Sequence, residues 1–166
     1  MRKQFTVTSI CLVILGLALG FASLSLSSGA QSKKSSEKMG PIPDKAYVQK
    51  IWDTWATLDP AQEAQFHAQG PNVFYDESPL KYNSWAEFQS GVTKILDTIK
   101  SGTFTVNDDL MLHPAGDYVW GTATVKEDLV MKDGKRDMAT LRWTVVFQKQ
   151  DGKWLIVHEH ISAPAE

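Results

Sequence analysis

The chain has 166 residues, 17 Lys and Arg against 19 Asp and Glu, and one cysteine. That length holds one domain with a workable core, and a mildly acidic balance without a basic stripe argues against nucleic acid as the partner. A single cysteine excludes a disulfide framework.

Arg2 and Lys3 make a basic start, residues 10–21 are an apolar run, and Ser28-Gly29-Ala30 supplies a small-residue exit. This layout reads as a secretory signal peptide over 1–30. An uncleaved anchor is the alternative, since 5–26 is roughly long enough to span a bilayer, but the interspersed Thr and Ser favour cleavage. The expectation is an exported protein, periplasmic or extracellular, that meets a membrane only through this segment. Residues 1–30 hold two basic and no acidic residues, which leaves 15 basic against 19 acidic beyond them, a net −4. Cys11 departs with the leader, and with it any thiol nucleophile.

Residues 31–43 are polar and close with Gly and two prolines, the composition of a flexible tether. The domain is expected over 44–164. Asp44 is placed to cap a helix in which Tyr47, Val48, Ile51, Trp52, Trp55 and Leu58 recur at three- and four-residue spacing. Asp59-Pro60 restarts a helix with Pro at its first position, and Gly70-Pro71 is expected to stop it. Val73-Phe74-Tyr75 is a short apolar strand. Ser84 with Glu87 forms a capping box that opens a third helix, with a stripe of Trp85, Phe88, Val92, Ile95 and Ile99 and an end at Gly102.

From Thr103 the pattern turns to period two, with turns at Asn107-Asp108, 114–117, 132–135 and Asp151-Gly152. Helices first and a meander after predict an α+β fold, with helices packed on one face of an antiparallel sheet. In the strand 141–148, Leu141, Trp143, Val145 and Phe147 share the apolar face, and Arg142 lies on the other. In the last strand, Leu155, Val157, Glu159 and Ile161 are expected on one face, and Trp154, Ile156, His158, His160 and Ser162 on the other. Glu159 is then a lone acid on an aliphatic face. Burying it alone would be prohibitive, so it either lines a cavity or is paired. A β-bulge would invert part of this parity.

The tryptophan-rich first helix, the strand ending in Tyr75-Asp76, the capped helix and the ending GKWLIVHEHIS (152–162) resemble the nuclear transport factor 2-like superfamily. Within it the match is to SnoaL-like and ketosteroid isomerase-like proteins. The ending is also similar to that of the association domain of calcium/calmodulin-dependent kinases. The resemblance covers essentially all of 44–164 and implies a cystatin-like, cone-shaped barrel: a curved antiparallel sheet wrapped on the N-terminal helices, with a pocket at the open end. It also implies a homodimer and a small apolar ligand.

By the same resemblance, Asp76 stands where the ketosteroid isomerases keep their general base; a turn or capping role before Ser78-Pro79 is the plainer reading. The oxyanion donors of that chemistry would fall near Ile51 or Trp52 and near Thr144, where the required side chains are missing. Steroid isomerisation is therefore not expected. Glu159 would be a second acid/base, with Tyr75, Tyr82, Trp143 and Trp55 shaping the ligand site. His158 and His160 project the same way, roughly 7 Å apart, and with Arg142 suit an interface or secondary polar site. No HExxH or cysteine set is present, and neither a metal nor a cofactor is expected. The resulting expectation is an exported small-molecule-binding domain, in its enzymatic form a cofactor-independent isomerase, cyclase or dehydratase. The alternative is a non-catalytic dimeric association or ligand-binding module of the cell envelope.

Overall fold

The computed structural model describes residues 41–165; the signal-peptide reading and residues 31–40 of the tether lie outside them. Among the described residues no helix is long and apolar enough to cross a membrane. Residues 41–43 lie on the domain: the Pro41 carbonyl accepts a bond from Trp154 Nε1 at 3.0 Å, and Pro43 is buried.

Helix α1 spans Lys45–Trp55, and the Asp44 carboxylate accepts the Tyr47 amide at 2.8 Å. Eleven residues are too few for a helix to persist alone in water. Burial of Val48, Ile51, Trp52 and Trp55 holds it, each contributing roughly 1.5–3 kcal/mol. Helix α2 is a single turn, Pro60–Glu63, capped by Asp59. It is shorter than the spacing predicts, because the chain beyond it joins the sheet instead. The Phe66 carbonyl accepts from Ile156 N at 2.7 Å, and Ala68 N donates to Ile156 O at 2.9 Å.

Strand β1 is Val73–Tyr75, and helix α3 is Trp85–Leu96. Ser84 Oγ accepts from the Glu87 amide, while the Glu87 carboxylate reaches back to the Asn83 amide at 2.8 Å. Helix α3 ends at Leu96 rather than near Gly102. Ile99 and Gly102 belong to strand β2 (Ile99–Val106), Leu96 is buried, and Ile95 is 44% exposed. The 3.6-residue stripe ran on by chance into a strand whose first inward residue is Ile99.

Strands β3 (Met111–Ala115), β4 (Tyr118–Met131), β5 (Arg136–Gln150) and β6 (Lys153–Ser162) complete the sheet. Its order is β1-β6-β5-β4-β2, with β3 pairing β4 beyond the end of β2. Every pairing is antiparallel except β1, which runs parallel to β6. The expected α+β fold is thus present, a curved, unclosed sheet on the N-terminal helices with β1, β2 and β3 at its edges, mixed only where β1 joins β6. The β5–β6 turn has positive φ at both Asp151 and Gly152, the twist that a two-residue hairpin requires.

One irregularity shapes the interior. Along β5–β6, Val146 pairs with His158 but Phe147 pairs with Ile156, which leaves Val157 as an extra residue. Before this bulge Trp154 and Ile156 are buried; after it Glu159 and Ile161 are. The expected parity thus holds for Glu159 and Ile161 and is reversed for Leu155 and Val157, which are half-buried on the outer side.

Candidate functional site

A cavity of about 260 Å³ lies between the helices and the inner face of the sheet. Its walls are Trp52 and Trp55 of α1, Phe88, Val92 and Leu96 of α3, and Ile99, Phe104, Leu129, Leu141 and Ile161 of the strands. Its mouth is marked by the exposed Glu77, Ser78, Ile95 and Asp137, with Asp76 and Glu127 half-buried beside them.

Asp76 follows the short edge strand β1, and its Oδ1 accepts the Glu77 amide at 2.8 Å. Burial raises its carboxyl to about 6, against the help of that amide and with added repulsion from Glu159 and Glu77. Glu127 is raised to about 7, by burial first and then by Glu77, Asp137 and Asp76. Glu127 was not foreseen, although the alternation of β4 carries it. Val119, Gly121, Ala123, Val125 and Leu129 all face inward, and Glu127 shares their parity. The same reasoning that singled out Glu159 on β6 applies there. Asp137 is the corresponding inward residue on β5, paired with Leu129.

Glu159 is inward and only 1% exposed, yet it does not line this cavity. It is paired. Trp143 Nε1 donates to Oε2 at 2.9 Å, and His67 Nε2 lies 3.1 Å from Oε1. His67 Nδ1 faces the Glu63 carbonyl at 3.0 Å, and a carbonyl can only accept, so Nδ1 carries a proton. The remaining contact, His67 Nε2 to Glu159 Oε1, then holds one proton, on either partner. His67 is stacked on the Trp85 ring at 4.3 Å. His67 was missed as a partner because it lies 92 residues away, in a stretch that looked helical.

Beside this pair sits Glu63, fully buried, with no hydrogen-bond partner among the described residues for either carboxylate oxygen. Burial raises it to about 9; the Thr54 hydroxyl lowers it and Glu159 raises it further. That hydroxyl is itself donated to the Ile51 carbonyl at 2.6 Å. Glu63 is therefore neutral at physiological pH.

Of the other expected ligand contacts, only Trp55 lines the cavity. Trp143 is packed edge-on against Trp52 and spends its N–H on Glu159. Tyr82 is buried on the far side of α3, its ring against Phe88 and its hydroxyl donating to Ser78 O at 3.2 Å. Tyr75 points outward because β1 alternates about the buried Phe74. There its ring meets His158 and His160 edge-on, at 5.5 and 5.6 Å. His158 donates from Nδ1 to Val73 O at 2.7 Å and so ties β1 to β6. His160 and Arg142 are exposed on the same outer face, on which Tyr118 and Trp120 are also open. Among the described residues, no three His, Cys, Asp or Glu side chains are grouped to hold a metal ion.

A family model of the SnoaL-like domain matches residues 45–166. No curated protein matches the chain. Among solved structures, a nuclear transport factor 2-like superfamily protein from Salmonella enterica serovar Typhimurium shares 20% identity at a TM-score of 0.66, covering 74% of this chain and 92% of that one. A Xanthomonas campestris protein, assigned as a calcium/calmodulin dependent protein kinase II association domain, shares 26% at 0.62, covering 76% and 92%. A type 2 hexachlorocyclohexane dehydrochlorinase shares 13% at 0.61, covering 72% and 84%. These are likenesses of fold.

Proposed function

The chain belongs to the family of SnoaL-like domains, and on that premise we propose that it is an exported domain that binds a small, largely apolar molecule and moves a proton on it without a cofactor. The observation that carries this reading is Asp76 at the mouth of an apolar cavity, with Glu127 beside it. Both carboxyls are raised by burial toward neutrality, so each can hold or release a proton there. Asp76, at the end of β1, takes a proton from carbon. The electron pair left behind moves to a carbonyl oxygen or expels a leaving group, which receives the proton of neutral Glu127. Isomerisation and elimination are both served by this arrangement, and the likeness to a dehydrochlorinase supports it.

Glu159 has a different part. Enclosed with His67 and Trp143, it holds the floor beneath β1 and repels the Asp76 carboxylate, keeping that group basic. The basic start, apolar run and Ser28-Gly29-Ala30 exit support export to the periplasm or beyond. The test is solvent-deuterium exchange into a panel of small ketones, followed by NMR. Wild-type protein should exchange protons beside the carbonyl of a bound ketone, and Asp76→Asn should abolish the exchange. Equal exchange rates in the two proteins would remove Asp76 from the chemistry.

A second reading, a dimeric association module, is favoured by the outer sheet face. Met111, Tyr118 and Trp120, on the neighbouring strands β3 and β4, are 44–56% exposed there, and exposed apolar groups gathered in this way mark contact surfaces. The likeness to the Xanthomonas campestris protein supports it. Light scattering should report twice the chain mass, falling to the single mass in Trp120→Glu. A wild-type monomer would end this reading.

A further inference from the structure

The cavity has a polar end and an apolar end. Every oxygen-bearing side chain that lines it, Asp76, Glu77, Ser78, Glu127 and Asp137, stands at the mouth. The inner walls include Trp52, Trp55, Phe88, Phe104 and Leu141, each only 1–8% exposed. The Trp52 indole N–H offers a guest no accessible surface. A hydroxyl or carbonyl carried to that end would give up its hydrogen bonds to water and meet mainly carbon. The part of a substrate that enters first is therefore hydrocarbon, and its reacting carbon stays at the mouth beside Asp76.

The inner walls also favour a flat group. Four of those five residues are aromatic, and aromatic faces and edges pack well against another ring. Phe104 fixes the width. It lies directly opposite Glu127 on the β2–β4 ladder, so the two side chains share a face. Its ring rests on Trp52 with centroids 5.6 Å apart, and Trp52 stands edge-on against Trp143 at the same distance. Trp143 is in turn held by Glu159. This wall is three buried rings deep and does not yield to a broader guest.

Volume sets the upper limit. Filled to the density of a protein interior, about three quarters, a chamber of about 260 Å³ takes about 200 Å³ of guest. One ring with a short arm fits with room to spare. Three fused rings bearing the same arm exceed the limit, and seated ring first they would hold the arm out beyond the carboxyls.

We propose that the substrate is a compact single-ring carbonyl compound, seated ring inward with its carbonyl arm at the mouth, and that Phe104 sets the selectivity for one ring. This names the substrate class of the site described above and rests on that reading, in which Asp76 takes a proton from carbon beside a carbonyl.

The test uses the full chain and three methyl ketones: acetophenone, 4′-hydroxyacetophenone and 2-acetylphenanthrene, titrated by ligand-observed NMR at neutral pH. Acetophenone should bind to wild type. 4′-Hydroxyacetophenone carries its hydroxyl to the apolar end and should bind about tenfold more weakly. 2-Acetylphenanthrene should not bind to wild type and should gain binding in Phe104→Ala. Phe104→Leu keeps an apolar side chain at that place and serves the same comparison if the alanine variant does not fold. Equal binding of the first two ketones by wild type overturns the inward seating of the ring. Wild-type binding of 2-acetylphenanthrene as tight as that of acetophenone overturns the size limit. Its continued exclusion by a Phe104 variant that still binds acetophenone removes Phe104 from the selectivity. If acetophenone binds in this order of preference but its methyl protons do not exchange with solvent deuterium, the seating stands and the proton-transfer reading fails alone. If none of the three binds, the proposal falls together with the cavity reading beneath it.

Discussion

His67 Nε2 stands 3.1 Å from Glu159 Oε1, and one proton lies between them. The count follows from their other contacts, because the Glu63 carbonyl fixes a proton on His67 Nδ1 and Trp143 donates to Glu159 Oε2. Such a pair is replaceable only by a group that both donates and accepts. In Glu159→Gln the amide oxygen can accept from Trp143 while the amide nitrogen donates to neutral His67, so stability should change by no more than about 1 kcal/mol. Glu159→Ala strands both buried partners and should cost about 3–5 kcal/mol. Urea unfolding of the two variants measures this, and similar losses in both would show that the contact is not a matched hydrogen bond.

The same substitution should be felt at the cavity mouth. Negative charge on Glu159 contributes to the raised Asp76 carboxyl. Glu159→Gln should therefore lower the Asp76 midpoint from about 6, toward the ordinary carboxylate range. Carboxyl-carbon NMR titration reads this directly, and an unmoved Asp76 would separate the two groups electrically.

Glu63 makes a prediction about pH. Its folded value of about 9 lies above the ordinary 4.5, so the folded protein binds a proton that the unfolded chain has released. Stability from this group is complete below pH 4.5 and is lost as pH rises toward 9. The slope is at most about 1.4 kcal/mol per pH unit. Asp76 and Glu127 act in the same direction up to about 6 and 7. The protein should weaken steadily from mildly acid to alkaline solution, and Glu63→Gln should flatten that decline and be the more stable form at pH 9. Denaturant midpoints at pH 5, 7 and 9 are the measurement; a wild type as stable at 9 as at 5 would contradict it.

Gly91 controls the loop that carries Ser78. A Cβ built at this position would run into the Tyr82 ring and hydroxyl. Tyr82 is buried and bonded to Ser78 O, one of the residues at the cavity mouth. Gly91→Ala should expel the ring and cost about 1–3 kcal/mol, with increased quenching of tyrosine fluorescence. Tyr82→Phe retains the packing and should lose far less.

Much of this fold was legible because short-range chemistry announces itself. Asp44, Asp59 and Ser84 cap helices where the sequence places them, and Asp151-Gly152 makes its hairpin. The errors share one cause. The second helix stops at Glu63 because Phe66 and Ala68 bond to Ile156, and Ile99 leaves the third helix for a strand. Each depends on a partner far along the chain, to which local periodicity is blind. The site divides the same way. Asp76 and Trp55 lie at the cavity, and the inward turn of Glu159 was visible in alternation. Its partners His67 and Trp143, and the outward turn of Tyr75, follow from pairings that only the assembled sheet displays.

Val157, the supernumerary residue of the last strand, decides which chemistry reaches the interior. Under strict alternation, His158 and His160 would follow Trp154 and Ile156 inward, planting two imidazoles in the hydrophobic centre and leaving the acid in water. The bulge takes up one residue, so that Glu159 and Ile161 turn inward and both imidazoles stay out. A single bend in the backbone thus separates an acidic heart from a basic one, in a strand of unchanged composition.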